Sequence, residues 1–263
     1  MNGAGNDFVL IDNRARKIKL SRDQVMLLCD RHRGVGADGA ILLVPSVSGK
    51  ADWAWEFYNS DGSTGEMCGN GARCFARFVQ KLTGITGGFS FETVAGVITA
   101  SFQGDQVTVS LTPPEDLRLN EQVALSIGTQ TIHSVNTGVP HAVLFVPDTD
   151  RVLVQQLGSE IRHHAHFAPK GTNVNFVQRL GPNRIRVRTF ERGVEGETLA
   201  CGTGVTASAL ISARLHGFTS PVKVQVQGGE RLEVSFRDDH GEFTDVRLTG
   251  PAEFVFEGRI EVQ

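Results

Sequence analysis

The sequence has no apolar stretch approaching the roughly 20 residues that a membrane-spanning helix needs, so no span is expected. Its start, Met1-Asn2-Gly3-Ala4-Gly5-Asn6-Asp7-Phe8, shows no basic segment followed by an apolar run, so no secretory signal is expected. Cysteine is scarce. Four in 263 residues are too few for a disulfide framework, and without an export signal they are expected to be reduced thiols in the cytoplasm. The 26 basic residues are balanced by 29 acidic ones and form no stripe, which argues against nucleic acid or an anionic membrane as partner. What is present is an ordinary globular composition, 40% apolar and 21% charged, with 30 glycines that point to many turns. The length suits one large domain or two of about 130 residues each.

Strand signals dominate. Asp7–Asp12, Ala40–Val44, Trp53–Tyr58, Phe89–Thr93, Val97–Phe102 and Gln106–Thr112 are short β-type runs broken by Gly, Asn or Pro. Helices are expected at Ser21–Arg31, which opens with a Ser21/Gln24 capping pattern, and at Gly69–Thr83, Thr149–His164 and Gly202–His216. Apolar residues at helical spacing, from Ala72 to Leu82, mark the second, and Gly84 and Gly217 stop the second and fourth.

The chain repeats itself. Cys68-Gly-Asn-Gly opens one helix and Cys201-Gly-Thr-Gly another, and each is followed by strand, glycine turn, strand and a third strand. The third strands end VSLTPP (109–114) and VRLTGP (246–251), and NDFVLI (6–11) aligns with PHAVLF (140–145). A duplicated α+β fold follows, with a boundary near Pro113–Leu119 that gives halves 1–115 and 116–263. The tail 252–263 is expected to pair back onto the first half. Duplication sets equivalent loops face to face across a pseudo-twofold axis, so both cysteines are expected to address one cleft.

Cys68 and Cys201 each precede a helix start. The first turn of a helix leaves N–H groups unpaired and carries about half a positive charge, which lowers a thiol's pKa. The same N–H groups hold a carboxylate, and glycine lets the ligand approach. A single cysteine is more often core; two in matching contexts are not explained that way. Cys74 and Cys29 read as core. Zinc is not expected, because the C-x5-C spacing has no second pair and no matching histidines. Gly34-Val-Gly36-Ala-Asp38-Gly39 matches a dinucleotide fingerprint in letters only: a polar run precedes it and an apolar strand follows, so it reads as a turn. His141 is a structural hydrogen-bonding residue or a proton-handling partner for a thiol. Glu191 and Arg192 lie in a glycine-flanked loop within ten residues of Cys201, where Arg suits a carboxylate and Glu an ammonium. Asn6, Asn59 and Asn173 sit beside strand ends, as turn residues or ligands.

The runs GAGNDFVLID (3–12), NSDGSTGEMCGNGARC (59–74), GTNVNFV (171–177) and ERGVEGETLACGTG (191–204) resemble the diaminopimelate epimerase family over nearly the whole chain. The resemblance implies two pseudo-symmetric halves, each a mostly antiparallel sheet wrapped around a central helix. It implies interconversion of LL- and meso-diaminopimelate, toward lysine and peptidoglycan precursors, with no cofactor and no metal. Cys68 and Cys201 match the acid/base cysteines. Gly69, Asn70, Gly202 and Thr203 match the donors for the reacting carboxylate. Asn6, Asn59, Asn173 and Arg192 match substrate-binding positions, and Glu191 and His141 match residues that assist catalysis, Glu191 also touching substrate. Gly39 and Val139 depart from the pattern: many members carry Gln and Asn there, and each change removes a side-chain contact. Members also usually carry several strand-forming residues before Gly3, so part of the first edge strand is expected to be missing.

The implied partner is a small amino-acid substrate, in the cytoplasm, and the resemblance leaves room for a homodimer. Competing readings are a proline or hydroxyproline epimerase of related fold, a cysteine hydrolase pairing either thiol with His141, and a thiol redox sensor.

Overall fold

The computed structural model describes residues 1–65 and 67–262; within the family-like run 59–74, only Glu66 lies outside them. The chain divides into two compact units, Met1–Ser110 with Gly250–Gln263, and Leu111–Thr249.

The first unit runs β1 (Asn2–Gly3), β2 (Asn6–Asp12), α1 (Arg22–Cys29), β3 (Gly39–Pro45), β4 (Trp53–Asn59), α2 (Gly69–Thr83), β5 (Phe89–Thr93), β6 (Gly96–Gln103) and β7 (Gln106–Ser110). Its strands follow one another in chain order across the sheet. Two pairs are parallel, β2 with β3 and β4 with β5, and the others antiparallel. A parallel pair needs a crossover, and α1 and α2 supply the two. Ser21 caps α1 through a full capping box with Gln24, as its sequence indicates. The core is aromatic. Phe75 of α2 lies 4.7 Å from Phe91 and 5.8 Å from Trp55 between ring centroids, and Trp55 packs on Phe57.

The second unit runs β8 (Glu115–Leu125), β9 (Gly128–Asn136), β10 (Pro140–Phe145), α3 (Val154–His163), β11 (Asn173–Gly181), β12 (Arg184–Glu191), β13 (Gly196–Thr198), α4 (Gly202–His216), β14 (Val222–Gln225), β15 (Arg231–Asp239) and β16 (Glu242–Pro251). From β10 onward it repeats the first unit. β10 pairs parallel with β11, as β2 does with β3, and β12 with β14, as β4 does with β5. The duplicated, mostly antiparallel α+β fold read from the sequence is the one observed. β9 pairs antiparallel with β10 as the two-residue β1 does with β2, and among the described residues β8 has no counterpart in the first unit.

The helix expected over Thr149–His164 is broken. Asp148 caps a short 3-10 turn at Thr149–Arg151, Val152 is extended, and α3 starts at Val154. The helices after the cysteines begin and end where Gly-x-Gly, Gly84 and Gly217 mark them; both C-caps are left-handed, at φ 74° and 64°. Helix α4 is buried from Gly202 through Ser212. Burying its hydroxyls would be costly unless each found a partner. Thr206, Ser208 and Ser212 donate to the carbonyls of Gly202, Gly204 and Ser208 at 2.9, 2.7 and 2.7 Å. No helix among the described residues is long and apolar enough to cross a membrane.

Candidate functional site

In the first unit, Cys68 is the N-cap of α2, and its sulfur accepts from the Gly71 N–H at 3.4 Å. Gly71 is packed closely: a Cβ there would lie 3.1 Å from Ile41 Cδ1 and 3.4 Å from Phe8 Cζ. Gly3 lies so near the helix that a Cβ would meet the Asn70 carbonyl oxygen at 2.7 Å. That contact carries the chain past Asn6, whose Oδ1 accepts from Asn70 Nδ2 at 2.5 Å while its Nδ2 donates to Asp38 at 3.0 Å. Arg31 grips both Asp38 and Asp7, which fixes the loop. Asn6, Gly69 and Asn70 therefore gather at the start of α2. Asn59 stands at the exposed end of β4 with its amide on Ser63.

In the second unit, Cys201 is the N-cap of α4 and is buried. Burial pushes its thiol well above the ordinary value, and the adjoining Glu191, charged and hydrogen-bonded to it, pushes it further. The Thr203 hydroxyl, 3.5 Å from the sulfur, and more weakly the Gly204 N–H oppose that rise.

Behind Thr203 lies a chain of donors whose direction is set by partners. Asn175 Oδ1 accepts from the Thr189 hydroxyl at 2.9 Å, and Asn175 Nδ2 donates to the Ala142 carbonyl at 3.0 Å. The second Nδ2 proton faces His141 Nδ1 at 3.2 Å, so Nδ1 carries the lone pair and Nε2 the proton. Nε2 donates to Thr203 Oγ1 at 2.9 Å, which leaves the Thr203 proton for the Cys201 sulfur. Burial, and then the charge of Arg192, hold the His141 pKa down to about 3, so the ring stays neutral. A Cβ on Gly204 would sit 2.2 Å from Asn175 Oδ1, which is why the helix opens Gly-Thr-Gly.

Asn173 accepts from the Arg192 N–H at 2.8 Å and donates to the Pro140 carbonyl at 3.2 Å, tying the Arg192 loop to the start of β10. The Arg192 guanidinium makes one hydrogen bond, to the Lys170 carbonyl at 3.3 Å, and no ion pair among the described residues. Its planar fork remains available for a carboxylate. His141, Asn173, Glu191, Arg192, Gly202 and Thr203 thus gather around Cys201.

The remaining cysteines are buried, and neither stands at a helix N-terminus. Burial pushes Cys29 up to about 11 and Cys74 up to about 12. The Gly34–Gly39 segment is a turn into β3, with Gly36 at φ 79°. Among the described residues, no group of three or more His, Cys, Asp and Glu could hold a metal ion.

Sequence reasoning missed Asn175, Thr189, Thr137 (which donates to the Thr203 carbonyl at 2.9 Å), Asp38 and Arg73. A signal existed for Asn175. Asn173-Val174-Asn175 places two amides on one face of the buried first half of β11, and period-2 polarity on a buried strand demands partners.

A family model described as diaminopimelate epimerase matches residues 1–116 and 133–255. The Aquifex aeolicus diaminopimelate epimerase is 47% identical over 275 residues, spanning 99% of this chain and 96% of that protein. The Hydrogenobaculum protein of the same name is 43% identical, with 99% and 97% covered. Among solved structures, the Bacillus anthracis phenazine biosynthesis protein of the PhzF family superposes with a TM-score of 0.73 at 14% identity, covering 95% of this chain and 92% of that one. A hydroxyproline epimerase from Agrobacterium vitis superposes with a TM-score of 0.66 at 20% identity, covering 87% and 77%. These two likenesses show the fold.

Proposed function

The chain belongs to the diaminopimelate epimerase family, and we propose that it inverts one Cα of diaminopimelate by transferring protons through Cys68 and Cys201. Its activity is that of an isomerase acting on a small amino acid, converting LL- to meso-diaminopimelate on the way to lysine. The mechanism rests on one observation: each unit opens a helix with a cysteine N-cap followed by Gly-x-Gly, and of the four cysteines only these two stand at a helix N-terminus.

Inversion needs one group to remove the α-proton and another to return a proton on the opposite face. A thiolate takes the proton, and a thiol delivers the other. Positioned acids and bases of this kind contribute about 10²–10⁴-fold. Charge that builds into the substrate carboxylate meets the N–H groups of Gly69, Asn70, Gly202 and Thr203. Glu191 beside Cys201 favours its thiol form, and once that thiol has delivered its proton the Thr203 hydroxyl faces the thiolate left behind. Arg192 holds the carboxylate at the non-reacting end, while Asn6, Asn59 and Asn173 orient the rest. No cofactor is required by this scheme, and it operates in the cytoplasm.

Incubation with LL-diaminopimelate in heavy water tests it. Deuterium should enter Cα as the meso isomer forms. Formation of meso product without deuterium, or exchange of proline instead, would overturn the proposal.

A further inference from the structure

The two cysteine motifs match in backbone but not in charge. Arg73 lies five residues after Cys68; Thr206 lies five residues after Cys201. Both side chains bond the carbonyl of the first helical residue: Arg73 Nη1 reaches Gly69 O at 3.2 Å, and Thr206 Oγ1 reaches Gly202 O at 2.9 Å. The duplicated helix start thus carries a cation at this place in one unit and a neutral hydroxyl in the other.

Arg73 is fully buried. Its other hydrogen bonds go to Asn70 Oδ1 at 2.9 Å, Pro251 O at 3.3 Å and Gly3 O at 3.4 Å. Every one of these acceptors is neutral, and no carboxylate pairs with it among the described residues. A buried cation without a counter-ion is strongly disfavoured. Burial lowers Arg73 to about 10, which leaves it charged at neutral pH. Among the described residues, the ionisable groups that support its charge are the thiols of Cys74 and Cys68. Cys74 is pushed up to about 12 and stays a thiol. Cys68 remains, already receiving the Gly71 N–H.

We propose that Arg73 is the fixed counter-charge that holds Cys68 as a thiolate, and that Cys201, which faces Glu191 and has only Thr206 at the matching place, rests as a thiol. Arg73 is a positioning residue, and its role rests on the acid/base reading of Cys68. Among the described residues, the other charged groups around the start of α2 do not substitute for it. Asp7 and Asp38 are both held by Arg31, and the Met1 amino group, whose pKa burial lowers, is bonded to the Phe8 carbonyl. The resting protein therefore presents its base from the first unit and its acid from the second.

The test is the pH dependence of iodoacetamide alkylation, resolved by peptide mass mapping, in the parent, Arg73→Met and Arg73→Lys. In the parent, Cys68 should react at neutral pH and Cys201 only at higher pH. Arg73→Met should move the Cys68 profile upward by a pH unit or more, which is about a tenfold slower reaction below both midpoints. Arg73→Lys should stay near the parent, and the Cys201 profile should not move. A role confined to packing would leave the Cys68 profile in place, and that result overturns the proposal. Where Arg73→Met does not fold, the parent decides: absorbance at 240 nm should report one thiolate per chain at neutral pH, lost when Cys68 is alkylated, and none overturns the proposal. Failure of the acid/base reading is separate, because it would show as parent-like epimerisation by Cys68→Ser.

Discussion

His141 Nε2 lies 2.9 Å from the Thr203 hydroxyl, which in turn lies 3.5 Å from the Cys201 sulfur. The ring is one step removed from that thiol, and with its pKa near 3 it acts there as a neutral donor. Gln reaches far enough to place an amide N–H where Nε2 stands; Asn reaches only as far as Nδ1. His141→Gln should therefore keep a larger share of kcat than His141→Asn, and equal losses would detach the donor chain from catalysis. Stability should follow the same titration. Between about 3 and 6.5 the unfolded chain binds a proton that the folded chain does not. This contribution is full above about 6.5 and is lost as the pH falls toward 3. The excess urea midpoint of the parent over His141→Gln should shrink from pH 7 to 4.5. A constant excess would mean that His141 titrates normally in the fold.

Gly39 has a steric reason that a lost ligand contact does not supply. It pairs with Asn59 across β3 and β4, and a Cβ there would lie 2.6 Å from the Tyr58 carbonyl oxygen and 3.0 Å from the Phe57 ring. Backbone is the obstacle, so Gly39→Gln should destabilise the protein by about 1–3 kcal/mol, in the range of core overpacking. The urea midpoint should fall without a gain in substrate affinity. Parent-like stability with a lower KM would restore the reading of Gly39 as a missing substrate contact.

The helices α1, α2 and α4 were legible because their signals are local: a capping pattern at Ser21, Gly-x-Gly after each cysteine, glycine at Gly84 and Gly217. The duplication was legible because ordered motifs survive over the whole chain. The parallel pairings were not, since β4 meets β5 and β12 meets β14 only after a helix has intervened. Nor was the donor chain to Cys201. Its members come from β10, β11, β12 and α4, and each residue alone reads as an ordinary core or turn side chain. Arg73 sat in plain view in the motif. Its meaning comes from its complete burial and neutral acceptors, which the letters do not carry.

Arg192 offers a test of substrate choice. Its backbone is fixed by Asn173 while its guanidinium is spent on a single carbonyl. Arg192→Ala should lower kcat/KM for diaminopimelate by about 10²-fold or more, since a charge-assisted bidentate contact is worth roughly 3 kcal/mol. Arg192→Lys should rescue it only partly, because an ammonium lacks the planar fork. Near-normal kcat/KM in Arg192→Ala would remove this loop from the substrate site.

The two cysteines can be separated by the face of the carbon on which each acts. Replace Cys68 by Ser and Cys201 by Ser in separate variants. Serine is close in shape, but its hydroxyl is far less acidic than a thiol, so each variant loses one acid/base group. Both should lose nearly all epimerisation, because reprotonation from the opposite face needs both groups. The remaining cysteine can still take a proton on its own side. A diaminopimelate analogue with a leaving group on the carbon next to Cα turns that half-reaction into elimination, which needs no proton delivery. One variant should eliminate from one Cα stereoisomer and the other variant from its opposite. The two sites also differ electrostatically, with Glu191 beside Cys201 and Arg73 under the helix that Cys68 opens. The variant that keeps Cys68 should therefore remain active to lower pH than the one that keeps Cys201. Elimination from the same stereoisomer by both variants would refute the two-base mechanism, as would parent-like epimerisation by either.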